Sequence, residues 1–194
     1  MNVKVDLSFS HDFEFSVLEE FPAGITQRYD FPGGQLVGQD GLLVRVVPKG
    51  VGAQAWIGLF ARGKVRGQSC TRVLSWPDPQ KICVVVNGAG YVIDVNNPEH
   101  SIAIEFSPIR EVVTIPSVGI VVFGTYTELV AYGTFGVKWV SERVAFDGFK
   151  IVSHDGESLK GEYTDLGDDV RHFEVGLDTG SVRSDRGSNR PPDF

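Results

Sequence analysis

The sequence predicts an all-β protein built from repeated four-stranded antiparallel meanders, and three observations carry that reading. Short apolar runs rich in Val, Ile, Phe, Tyr and Trp follow one another along the chain: LLVRVV, AWIGLFA, TRVLSW, KICVVV, YVIDV, SIAIEF, EVVTI, IVVFGTY, ELVAYG, VKWVSERVAF, FKIV, LKGEY and RHFEVGL. Each is bounded by Gly, Pro, Asn, Asp or Ser, the punctuation of strands and turns. The chain has 23 glycines, 10 prolines and one methionine, and few of the Leu/Ala/Glu stretches that favour long helices. Finally, the turns recur at an even spacing.

The first hairpin turns fall near Pro77, Pro116 and His154, steps of 39 and 38 residues, and the second strands begin at Ile82, Ile120 and Ser158. Third strands follow as YVIDV, ELVAY and RHFEVGL, the last delayed by the longer hairpin YTDLGDD. SIAIEF and VKWVSERVAF supply a fourth strand that links each unit to the next. One meander cannot bury both faces, so copies stack through their apolar side chains. The expectation is a propeller-like array with three full units over 71–183 and a partial one, open or closed. A two-sheet β-sandwich is the alternative architecture.

In this reading 1–180 is a single domain. Met1–Gly67 adds two or three strands and an irregular segment, and 181–194 (SVRSDRGSNRPPDF) is a flexible tail. Ser16–Phe21 (SVLEEF) reads as a short helical turn. VKWVSERVAF places its apolar majority on opposite faces at its two ends, which predicts a twist or bulge near Ser141.

By rhythm the stretch Thr71–Arg183 resembles the repeats of quinoprotein-type and WD-type β-propellers, without their tryptophan-docking or Gly-His/Trp-Asp signatures in register. The segment VVF-x3-TELVAYG…W…AFDG…FEVGLDTG is also similar to a set of small bacterial proteins with no established activity. The resemblances imply a fold and no chemistry. Closed propellers usually have four or more blades. The extra strands therefore complete a blade, or the array stays open, or two chains close one ring. Open edges invite association, so a homodimer or another protein partner is expected.

The formal charge of −7, from 25 acidic and 18 basic side chains, repels phosphate backbones and argues against nucleic-acid or anionic-membrane binding. The local exception is ARGKVRG, where Arg62, Lys64 and Arg66 sit in a Gly-containing loop able to hold an anion. The N-terminus has early acids and no continuous apolar core, unlike a secretory signal. No apolar run approaches the roughly 20 residues that cross a bilayer, and a cytoplasmic location is expected. Cys70 and Cys83 flank the turn PDPQ. Partners about that turn sum to about 157 whereas the cysteines sum to 153, so they read as offset, buried, free thiols.

No motif carries a reaction on its own. VVVNGAGYVIDV has Gly88, Gly90 and Asp94 but Ile93 where a dinucleotide fingerprint needs its third glycine, and Asn87-Gly88 reads as a hairpin turn. His11, His100, His154 and His172 come singly, so no zinc spacing is present. Asp165, Asp168 and Asp169 lack the oxygen spacing of a calcium loop. No G-x-S-x-G occurs. No cofactor or metal is expected.

Of the aromatics Tyr91, Phe123, Tyr126, Tyr132, Phe135, Trp139 and Phe146, most read as inter-sheet core; Tyr126 and Tyr132, with hydroxyls that want a partner, read as surface or groove residues. The leading function is a non-enzymatic interaction module using an edge or rim of the array, with Tyr126, Tyr132, Arg62, Lys64 and Arg66 as binding residues. The alternatives are a hydrolase or lyase built on Asp147, His154, Glu162 and His172, and anion or nucleic-acid contact through the basic loop.

Overall fold

The computed structural model describes residues 2–24, 27–33, 40–50, 52–65, 70–164 and 168–185, which hold seventeen strands and no helix. After a short strand β1 (Lys4–Asp6), the chain builds a first sheet from β2 (Phe13–Leu18), β3 (Arg28–Phe31), β4 (Gly41–Pro48) and β5 (Trp56–Ala61), in the order β2-β4-β5-β3. The second sheet is β6 (Arg72–Ser75), β7 (Lys81–Val86), β8 (Ala89–Asp94) and β9 (Ser101–Ala103), with β1 added in parallel beside β6. The third is β10 (Glu111–Ile115), β11 (Ile120–Gly124), β12 (Leu129–Gly133) and β13 (Gly136–Val140). The fourth is β14 (Lys150–His154), β15 (Ser158–Thr164), β16 (Val170–Gly176) and β17 (Val182–Ser184). The last three sheets take their strands in sequence order, and β7, β11 and β15 begin at Lys81, Ile120 and Ser158.

Burial follows the residue pattern. In β4, Leu42, Val44 and Val46 are buried while Arg45 between them is exposed, the alternation of a half-buried strand. WIGLFA in β5 and IVVFG in β11 are buried throughout, as continuous apolar runs require. Three apolar clusters fill successive gaps between sheets. Phe13, Val44, Trp56 and Phe60 of the first sheet meet Val73, Val84 and Ile93 of the second. On the second sheet's other face Leu74, Trp76 and Val85 meet Val112, Val121 and Phe123 of the third. Ile120, Val122 and Trp139 then meet Leu159, Tyr163 and Phe173 of the fourth. None of the three clusters contains residues of both the first and the fourth sheet.

Hydrogen bonds lock these gaps. The Trp56 indole donates to the Val95 carbonyl at 2.8 Å, and the Trp139 indole donates to the Leu177 carbonyl at 2.6 Å. Each tryptophan thus reaches across an interface to the backbone just beyond the third strand of the next meander. Between the second and third sheets the N-terminal segment acts as a clamp. The Thr114 hydroxyl donates to Asp6 Oδ2 at 2.6 Å, Ser8 Oγ donates to Thr114 Oγ1 at 3.0 Å, and the Phe9 amide donates to Ser75 Oγ at 2.9 Å. Burial works to raise the Asp6 carboxyl, but the bonds from Thr114 and Ser8, with Arg72 nearby, leave it below its ordinary range.

Several expectations meet their outcome here. Arg72 pairs with Val85 across the PDPQ turn, the register the sequence implies, so Cys83 faces Leu74 and the two cysteines remain free and buried. Asn87 and Gly88 take φ of 48° and 85°, the left-handed pair of a tight hairpin. Four sheets are present where the alternative reading had two. SVLEEF is no helical turn: Ser16–Leu18 belong to β2, because Phe13 and Phe15, two residues apart, face the first-to-second sheet core and set a period of two.

The described residues of 1–67 hold five strands rather than two or three, since FEFSVL and RYDF gain from their neighbours the pairing their own composition does not announce. The irregularity expected near Ser141 falls three residues earlier in the same strand: Ala131 pairs with Trp139 and Tyr132 with Val137, so Lys138 is the extra residue of β13, which ends at Val140. Val182–Ser184, inside the segment read as a tail, form β17 because Val182 packs on the last apolar cluster.

Candidate functional site

Between the β9 edge of the second sheet and the β12–β13 hairpin of the third lies a groove of about 310 Å³. Trp76, Val92, Ile102, Ile104, Tyr132 and Phe135 form most of its wall. The edge strands β9 and β13 are its lips. Ile104 and Trp76 are buried, whereas Ile102 is 65% exposed and Phe135 fully so. Val137, opposite Tyr132 in register, is 51% exposed and extends the apolar surface along β13. A phenylalanine standing free in water beside an apolar groove is the kind of surface that a partner covers.

Tyr132 forms the groove's inner wall, with its ring 5.8 Å from Trp76 and 5.7 Å from Phe123, the latter edge-on. Burial, and to a lesser degree Glu105 and Cys83, push its phenol above the ordinary range, so it presents a protonated hydroxyl. The hairpin Gly133-Thr134-Phe135-Gly136 projects Phe135, and Gly136 at φ 120° closes that tight reversal.

The other binding candidates are elsewhere. Tyr126 sits in the Thr125–Glu128 turn at the opposite end of the third sheet, its ring 4.4 Å beneath the Arg110 guanidinium. Arg62 lies 4.0 Å from Asp40, and the backbone of the basic loop is tied down by Gly63 N to Val86 O at 2.9 Å and Asn87 Nδ2 to Gly63 O at 2.6 Å. Lys64 is exposed, and Arg66 falls outside the described residues, as does Asp165. Asp169 lies 3.7 Å from Arg171.

Of the four residues of the enzyme reading, Glu162 and His172 face each other in register on the outward side of the fourth sheet. They line a shallow groove of about 480 Å³ with Lys160, Glu174, Arg183 and Asp185. Asp147 and His154 do not line it; they lie in exposed positions at opposite ends of β14. Glu162 is 3.9 Å from Lys150, and Lys160 lies 3.2 Å from Asp155 and 4.0 Å from Glu174, so the face is a ladder of opposed charges. Among the described residues no group of three His, Cys, Asp or Glu side chains is arranged to hold a metal ion, and no helix is long and apolar enough to cross a membrane.

Two of the aromatics, most of which read as core, lie outside it: Phe135 is fully exposed and Phe146 is 47% exposed. The signal for Phe135 was its position between two glycines in GTFG, which marks a hairpin tip and not a strand interior. Ile102, Ile104 and Trp76 could not be assigned to a groove from the sequence, because their strands look like any other apolar run. No protein-family model matches the chain, and a search of curated proteins finds no significant relative.

Proposed function

We propose that the protein is a non-enzymatic interaction module, that its docking surface is the groove between β9 and β13, and that the occupant is a second copy of the chain. The observation that carries this is Phe135, a fully exposed aromatic knob placed beside an apolar hole on the same face. Knob and hole side by side suit a twofold interface, in which each Phe135 enters the other copy's groove. Burying one phenylalanine contributes roughly 1.5–3 kcal/mol, and the twofold counts it twice. Among the described residues β13 is an edge strand, which gives the two copies backbone groups to share. The product is a weak dimer that forms with rising concentration.

We read the four sheets as propeller-like blades, each running from an inner to an outer strand, in an array that stays open. The charged outward face of the fourth sheet supports this, since a ladder of Lys150, Glu162, Lys160 and Glu174 suits solvent and not another sheet. The same face weakens the enzyme reading, because His172 is exposed and Glu162 only partly buried, so neither is enclosed in the pocket that would separate acid and base roles. Two free thiols suit a reducing, cytoplasmic setting. Light scattering on wild type and Phe135→Asp tests the docking surface: dimerisation lost in the variant supports it, and equal masses for the two proteins contradict it.

A further inference from the structure

We infer that the cleft where β1, β6 and β10 meet is a binding site for a small phosphate-class anion. The cleft, of about 260 Å³, is lined by Lys4, Arg72 and Arg110 around Glu111, with Cys70 and Thr71 at its wall. In a chain of net charge −7 this is a concentration of the minority charge. Among the described residues none of the three cations comes within 4.0 Å of a carboxylate oxygen. Asp6, the other acid close to Arg72, accepts hydrogen bonds from Thr114 and Ser8 and offsets one of the three charges without pairing directly with a cation.

Glu111 forms a direct ion pair with none of the three cations either. Burial pushes its carboxyl above the ordinary range even though Arg72, Lys150, Lys4 and Arg110 all pull it down, the behaviour of a carboxylate near cations but not in contact with them. Lys150 is itself turned to Glu162 at 3.9 Å. Cys70 adds no charge, because burial outweighs Arg72 and keeps its thiol protonated. Three cations against two carboxylates, Glu111 and Asp6, leave a net positive charge that an anion would balance, and the oxygens of a phosphate monoester or of phosphate itself suit it. Guanidinium groups match such oxygens with paired N–H donors, and Tyr126 beneath Arg110 holds one fork in place. The cleft also exceeds the volume of a bare phosphate, leaving room for a small organic group.

The test is an amide NMR titration of the full chain at low ionic strength, with inorganic phosphate and separately with glycerol 3-phosphate. Saturable shifts at Lys4, Thr71, Arg72, Arg110 and Glu111 are expected. Tighter binding of the ester assigns an organic phosphate, and equal binding assigns the free ion. A charge interaction of about 1 kcal/mol corresponds to about five-fold in affinity, so Lys4→Met and Arg110→Gln should each weaken binding by about that factor. Glu111→Gln should strengthen it by a similar factor, a gain that a folding defect cannot imitate. Shifts no larger than those from chloride at equal ionic strength overturn the proposal, as does a Glu111→Gln variant that binds no more tightly.

Discussion

At the scale of single residues, the gaps between sheets depend on polar atoms placed to meet otherwise unpaired backbone. Trp139 is the clearest case, since its indole satisfies the Leu177 carbonyl at 2.6 Å within a 7% exposed side chain. Trp139→Phe keeps most of the ring but strands that carbonyl, so it should lower unfolding stability by about 1–3 kcal/mol in urea titrations. Cys83 is wholly buried, and burial raises its thiol far above the ordinary value. A raised folded pKa means the unfolded chain releases this proton first. Stability is therefore fully present below about pH 9 and declines as pH rises beyond it, toward the folded pKa. Thermal midpoints of wild type and Cys83→Ala across pH 8–11 check this, the decline being shallower in the variant. Sequence reading identified the free, buried cysteines because strand register about PDPQ is a matter of counting. It could not find the Trp139 bond, because a partner 38 positions away depends on how two sheets dock.

At the scale of elements, β1 matters beyond its three residues. It adds a parallel strand to the second sheet and carries Asp6 to Thr114 of the third, so one segment fastens two sheets. Thr114→Val removes the donor and should cost about 1–2 kcal/mol near neutral pH, measured by chemical denaturation. The pH dependence has a definite sign. Asp6 is held below its usual value, so its contribution is present above about pH 3.8 and fades as pH falls through the folded pKa. The difference between variant and wild type should shrink in acid. Elements with continuous apolar runs, such as KICVVV and IVVFG, were legible in the sequence because burial on both faces leaves one pattern. FEFSVL and RYDF were not, because charged side chains interrupt them and their pairing comes from β4 and β5.

At the scale of the whole molecule, four sheets packed in series leave two kinds of end. The fourth sheet turns a charged ladder to solvent, while the outer edges of the second and third sheets frame an apolar groove with Phe135 at its lip. The spacing of turns in the sequence foretold the first three meander strands of each of the last three sheets, but neither β1 beside β6 nor β17 beside β16. The groove was only half legible: Tyr132 stood out by its hydroxyl, but Phe135 was grouped with aromatics most of which read as core, although its setting in GTFG marks a hairpin tip. The central claim is that this groove is where a second copy docks. Its most direct test is light scattering across a concentration series. Wild type should rise from 21.2 kDa toward twice that mass, while Phe135→Asp, altered at a fully exposed turn and equally stable, stays at 21.2 kDa. A wild type that remains at 21.2 kDa throughout, or a variant that dimerises as well as wild type, contradicts it.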